Sequence, residues 1–252
     1  MEPSRPAPVQ FEPRQRWRAV YRRRPDAPRL PQSEQLEAWE RSLATSGLPL
    51  AGLELPVPRP RLVVAAPLAV GVAGERELAD LYLVDRRAAA EVRVRLAGSL
   101  PAGHELVDVH DVWLGEPPLP GQVVAADYRV RLERPADADP APDVGVARAA
   151  LSAACARLLG GSELPWTRRK GVREISFDLR ALIADVAVLT EDRLELDLRI
   201  RTRFDPVRGV GRPEDVVAAL AELSALAIDV RSIVRERLYL AGETRPAGSV
   251  SI

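Results

Sequence analysis

A length of 252 residues fits one large domain or two small ones, and a content of 46% apolar and 29% charged residues excludes a wholly disordered chain. Lys+Arg 36 balance Asp+Glu 36, so no net field draws the chain onto nucleic acid or lipid. Lys170 is the only lysine and asparagine is absent, a bias that carries no chemistry of its own.

Residues 1–15, with Pro3, Pro6, Pro8 and Pro13 and few apolar partners, read as a disordered lead-in. Arg16 to Arg22 alternates by two and predicts a strand. Ser33 is placed to cap a helix with Leu36, Trp39 and Leu43 on one side, stopped at Gly47. Arg61 to Ala66 and Ala79 to Val84 predict two short strands. Arg87 to Leu100 fits a strand through Val92, Val94 and Leu96 and a helix through Ala89, Val92 and Leu96; its length favours the helix. His104 to Leu114 predicts the closing strand of a β-α-β-β-α-β, ferredoxin-like order.

The turn-rich residues 117–121 then predict a linker. Gln122 to Arg134 predicts a strand, Pro135 to Pro142 an acidic link, and Asp143 the cap of a helix running to Gly160 and Gly161. Ile175 to Leu179 predicts a short strand and Arg193 to Phe204 a strongly alternating one. Pro213, with Glu214 and Asp215 behind it, opens a helix, and Ile233 to Leu240 predicts the last strand. The expected fold class is therefore α+β with two tandem ferredoxin-like domains, residues 16–116 and 122–241, and a flexible tail over 242–252.

Cys155 is the only cysteine, which excludes an intramolecular disulfide, a cysteine-rich zinc site and an iron–sulfur cluster. Its Ala/Leu setting predicts buried filler rather than a reactive thiol. No stretch approaches a membrane span, and residues 1–24 lack the apolar region of a signal peptide, so a cytoplasmic protein is expected. No Gly-rich phosphate loop and no nucleophile elbow occurs, and no cofactor is called for.

His104, Asp108 and His110 would share one face of a strand at a spacing a metal could use. Without a second ligand cluster, the polar outer face of an edge strand is the better reading, and no metal is expected. The arginines are clustered. Arg5, Arg14, Arg16, Arg18, Arg22, Arg23, Arg24 and Arg29 give residues 1–31 a net charge of +5. Trp166, Arg168, Arg169 and Lys170 form a second group, and Arg59 and Arg61 a third on a proline-stiffened approach to a strand. Arginine suits bidentate phosphate contacts and stacking on bases, but clusters of this kind are more often solvated faces.

One stretch resembles a known family. Gln32 to Leu43, then Gly47-Leu48-Pro49-Leu50, Pro58-Arg59-Pro60-Arg61-Leu62 and Pro67 to Val72 look like the uncharacterised bacterial radical SAM-linked family. The carboxy half is similar more weakly at Phe177 to Ile183, Arg212 to Asp215 and Arg235 to Leu240. Members are typically encoded beside, or fused to, a radical SAM protein. Where the family usually opens its first helix with His-Leu-Asp, this chain has Gln32-Ser33-Glu34, and where it usually has Ser-Gln-Gly-Phe-Asn this chain has residues 53–57. Glu34 can still act as a carboxylate; Gln32 cannot transfer a proton.

The resemblance implies a non-catalytic accessory module that binds a radical SAM partner or its macromolecular substrate. Arg59 and Arg61, with Gln32 and Glu34, would form one contact, and Trp166, Arg168, Arg169 and Lys170 a second. The alternative is an RNA-binding protein that presents RNA for modification. An enzyme would need a cleft gathering Glu34, His104, Asp108 and His110.

Overall fold

The computed structural model describes residues 12–133, 143–171, 173–189 and 196–243. The chain divides into two compact units, residues 1–122 and 123–252, each mixed α+β with antiparallel strands.

The first unit runs β1 (Gln15–Arg23), α1 (Gln32–Ala44), β2 (Leu62–Val64), β3 (Ala73–Leu83), α2 (Ala89–Ala97), β4 (His104–Val112) and the single turn α3 (Leu119–Gln122). Its strands lie in the order β2-β3-β1-β4, every neighbour antiparallel. Trp17, Ala19 and Tyr21 of β1 and Ala79, Leu81 and Leu83 of β3 form one apolar face, as strand alternation dictates. Trp39 and Leu43 of α1 and Val92 and Leu96 of α2 close over that face, which settles residues 89–97 as helix. α1 begins at Gln32 behind Pro31, and Ser33 makes no cap: it lies inside the first turn, two residues past the cap position.

Arg16 and Arg18 stand on the other face of β1, which the sequence assigns to solvent. They are buried instead. Asp80, opposite Arg18 in the ladder and wholly inaccessible, accepts from Arg16 Nε at 2.8 Å and from Arg18 Nε at 2.8 Å. Arg16 Nη1 donates to the carbonyl of Glu116 at 2.6 Å, and Arg18 Nη2 reaches the Glu116 carboxylate at 3.2 Å. Burial opposes the charge of Arg18, yet Asp80 and Glu116 outweigh it and its pKa is raised. Two arginines of the amino-terminal basic cluster are thus turned inward to hold the unit's own strands and the 116–117 turn.

The second unit runs β5 (Val123–Glu133), α4 (Val144–Gly160), β6 (Pro165–Lys170), β7 (Arg173–Asp178), a 3-10 turn (Arg180–Leu182), β8 (Ile183–Leu189), β9 (Leu196–Asp205), β10 (Gly209–Val210), α5 (Pro213–Ser224) and β11 (Asp229–Leu240). Its strands lie in the order β8-β9-β5-β11, again antiparallel, with β10 also on β9. The Asp143 carboxylate caps α4 by accepting from the Gly145 N–H at 2.7 Å, and Pro213 opens α5. The expected strand over 175–179 does not join this sheet: β7 pairs only with β6, and β8 fills the place in the sheet. The lead-in to residue 11, the 135–142 link, residues 193–195 of the expected strand and the tail from residue 244 lie outside the described residues.

α4 packs on α5 and β8 through Ala147, Leu151, Ala154, Cys155 and Leu158. Burial, with Asp185 adding to it, pushes the Cys155 thiol up to about 11, so it stays protonated and acts as filler. Asp127 on β5 receives Arg201 Nε at 2.6 Å, Arg201 Nη2 at 2.7 Å and the Tyr239 hydroxyl at 2.7 Å. Burial alone would raise its pKa, but these hydrogen bonds and the nearby arginine charges leave it lowered. The stability this supplies is fully present above the unfolded carboxyl value of about 3.9 and is lost as pH falls through the lower folded value. Asp127→Asn is therefore expected to cost about 1.5–3 kcal/mol at pH 7, the range for hydrogen bonds to a charged group. It should also flatten the loss of stability below pH 4, which urea unfolding across a pH series will read.

Candidate functional site

A concavity lies in the first unit, beside the opening turn of α1. A cavity of about 520 Å³ is lined by Tyr21 and Arg23 of β1, by Gln32, Ser33, Gln35, Leu36 and Trp39 of α1, by Leu62, Val64, Pro67 and Leu68, and by His104. That is the size and the mixture of apolar wall and few polar groups that small-molecule sites have. Tyr21 and Trp39 meet edge to face with ring centres 4.8 Å apart, and the His104 ring lies 5.5 Å from Trp39 and 5.7 Å from Tyr21.

Arg23 and His104 are the polar groups of the inner wall. Arg23 is buried to 3% exposure, and its two terminal nitrogens donate to the carbonyls of Val72 at 2.5 Å and Pro28 at 2.8 Å. Its Nε–H has no acceptor. Desolvation lowers the Arg23 pKa, with Tyr21 and Glu77 acting the other way. His104 Nδ1 lies 3.1 Å from the Ala102 carbonyl, which only accepts, so Nδ1 carries the proton. Burial pushes the imidazole below its ordinary value, the carbonyls of Ala102 and Pro101 oppose that, and Arg23 adds to it. A neutral ring with Nε2 as its remaining acceptor follows.

A second depression of about 390 Å³ lies beside the first and shares Leu36 and Leu62 with it. Here the Pro58-Arg59-Pro60-Arg61 segment is held by main-chain pairing: Arg59 N–H to Gly52 O at 3.0 Å and Arg61 N–H to Ala51 O at 2.7 Å. Gly52 sits at φ +93°, and a Cβ there would stand 2.2 Å from the Arg59 carbonyl oxygen, so glycine is required. Arg59 is exposed and pairs with Glu40 at 3.0 Å; Arg61 lies 4.2 Å over the Tyr82 ring. Gln32, Arg59 and Arg61 therefore line adjoining concavities, whereas Glu34 lies in the exposed first turn and lines neither.

The metal-like spacing on β4 does not gather. A register shift opposite Val20 and Tyr21 breaks the alternation: His104 and Leu106 pair with Arg23 and Tyr21, but Asp108 and His110 pair with Val20 and Arg18. The odd-numbered and even-numbered positions of β1 face opposite ways, so His104 enters the cavity wall while Asp108 and His110 lie on the other face. Asp108 binds Arg93, which lowers its pKa, and His110 lies 3.9 Å from Asp108. Among the described residues no three of His, Cys, Asp and Glu come together.

The second predicted contact is a hairpin, β6–β7. Trp166 Nε1 donates to Asp215 at 3.4 Å and Arg168 Nε to the same carboxylate at 2.9 Å, with the Arg168 guanidinium 4.8 Å over the Phe177 ring. These two side chains fasten the hairpin to the start of α5. Arg169 is exposed and pairs with Glu174 at 3.4 Å; the Lys170 side chain lies outside the described residues. Sequence reasoning missed Arg23 and Trp39 as cavity residues because their partners come from distant segments, and no local pattern marked them.

A family model described as "Uncharacterized protein conserved in bacteria (DUF2344)" matches residues 16–208. The chain belongs to this family. The match takes in the first unit from Arg16 onward, with the first concavity and all but Pro13 of the second, and the β6–β7 hairpin of the second unit. No curated protein matches the chain. Among solved structures, a Cbf5-Nop10-Gar1 complex is similar at a TM-score of 0.44 and 12% identity, covering 87% of this chain and 48% of that one. An H/ACA RNP bound to a substrate RNA containing 2'-deoxyuridine is similar at 0.39 and 11%, covering 87% and 47%. An archaeal box H/ACA sRNP Nop10-Cbf5 complex is similar at 0.41 and 10%, also covering 87% and 47%. This chain thus spans about half the length of those chains. No helix among the described residues is long and apolar enough to cross a membrane.

Proposed function

We propose that this family member is a non-catalytic accessory module, built from two ferredoxin-like halves, that docks an acidic and partly apolar segment of a partner protein on its first unit. The repeated strand order supports the architectural part of this reading. The observation that carries the docking part is the meeting of the two concavities along Leu36 and Leu62, beside Arg59 and Arg61. Leu36 and Arg59 are exposed there, an apolar side chain and a guanidinium on the rim of the second concavity. The resemblance of residues 32–72 to radical SAM-linked proteins makes a radical SAM protein, or the macromolecule it modifies, the partner of first choice.

Positioning, rather than bond-making, is the role such a surface performs. Charge attracts and orients the partner, and the apolar lining at Leu36 and Leu62 supplies the area removed from water. The charge-reversal pair Arg59→Glu, Arg61→Glu is expected to weaken capture of a radical SAM protein from the same organism at least tenfold while the melting temperature changes little. Undiminished capture by this variant overturns the docking surface. Nucleic acid that co-purifies and is released by salt supports the RNA reading instead, with the exposed Arg169 as the next position to change.

A further inference from the structure

The cavity beside α1 supports an inference that does not rest on protein docking. Its inner wall holds two neutral polar atoms of opposite kind, each without a partner. Trp39 is 3% exposed, yet its indole Nε1–H meets no acceptor among the described residues. His104 Nδ1–H donates to the Ala102 carbonyl, which leaves Nε2 an acceptor that receives nothing. Neither atom is sealed inside the fold as Arg23 Nε is, and both side chains line this cavity. The ring centres stand 5.5 Å apart, so donor and acceptor belong to one end of it. Polar atoms this deep in a protein are costly unless water or a ligand satisfies them.

The other walls decide what kind of molecule carries the satisfying group. Leu36, Leu62, Val64, Pro67 and Leu68 offer apolar surface, and Tyr21 and Trp39 offer aromatic rings. Charge of either sign is disfavoured. Arg23 gives an anion no N–H within reach, because its terminal nitrogens are spent on the Val72 and Pro28 carbonyls and its Nε is sealed. Its charge still opposes a second cation: burial pushes the His104 imidazole down, and Arg23 adds to that shift. We propose that this cavity binds an uncharged aromatic molecule bearing a hydroxyl, whose oxygen accepts from Trp39 Nε1–H and whose proton is donated to His104 Nε2.

The test is an NMR titration of the full chain at pH 7 with four probes. These are 4-ethylphenol, its methyl ether 4-ethylanisole, the cation tyramine and the anion 4-hydroxyphenylacetate. The phenol is expected to bind about fivefold or more tightly than the ether, the worth of one net hydrogen bond. Both charged probes should bind at least tenfold more weakly than the phenol. Of the four tryptophan indole signals, the one missing in Trp39→Phe should move as the phenol binds. His104→Phe keeps a ring in place, removes the acceptor, and should level phenol and ether. If that variant fails to fold, the preference of the unaltered chain and the Trp39 signal decide. Equal binding of phenol and ether by the unaltered chain, or a preference that survives in folded His104→Phe, overturns the proposal. So does a charged probe that matches the phenol, a Trp39 signal unmoved at saturation, or no saturable binding of any probe. None of these outcomes bears on capture of a protein partner, which Arg59 and Arg61 test separately.

Discussion

Replacing Asp80 by asparagine is expected to destabilise the first unit by about 3–5 kcal/mol, the range for removing one member of a buried ion pair. Asp80 is inaccessible to solvent and is the shared acceptor of Arg16 and Arg18, whose side chains are themselves 1% and 7% exposed. Asparagine keeps the shape and loses the charge, so two guanidinium groups stay in a dry site with Glu116 as the remaining carboxylate, and only beside Arg18. Urea denaturation will show the lower midpoint. The triple change Asp80→Leu, Arg16→Met, Arg18→Leu is expected to restore most of the loss, since apolar replacement of a whole buried charge cluster is often neutral. A triple variant as unstable as Asp80→Asn would show that the arginines are needed for their contacts to the 116–117 carbonyls rather than for their charge.

Trp39→Ala is expected to cost a similar amount, about 3–5 kcal/mol. Trp39 is 3% exposed and packs edge-on against Tyr21 at 4.8 Å and against His104 at 5.5 Å. It also forms part of the cavity wall, so its removal enlarges an existing space that the surrounding strands are ill placed to collapse into. Thermal unfolding followed by fluorescence will read the loss. Trp39→Phe should recover about half of it, because the ring contact survives with less area.

Much of the fold was legible in the residues. Alternation placed β1 and β5, the caps Asp143 and Pro213 placed α4 and α5, and the order of strands and helices from β1 to β4 was visible in the first half. The strand at Ile183–Leu189 was not, because Ile183-Ala184-Asp185-Val186-Ala187 carries small residues where a strand signal needs bulk, and Ile175 with Phe177 offered a stronger local pattern. Which of the two joins the sheet depends on pairing with β9, a partner distant in sequence from either.

Of the candidate site, the sequence by itself determined that Arg59 and Arg61 sit on a stiff approach to a strand and that a helix carrying Leu36 and Trp39 on one side precedes them; elsewhere it determined that Cys155 is filler. Where each arginine's charge goes was decided only by the tertiary structure. Arg16, Arg18 and Arg23 look like surface cations because arginine usually is one, and alternation puts the first two opposite an apolar face. They are interior because Asp80, Glu116 and the carbonyls of Val72 and Pro28 converge on them from segments up to 101 residues away. In the same way one bulge opposite Val20 and Tyr21 sends His104 into the cavity and leaves His110 outside. Local periodicity records which residues can share a face; only the pairing register and the long-range partners decide which face is dry, and the chemistry of this site follows from that.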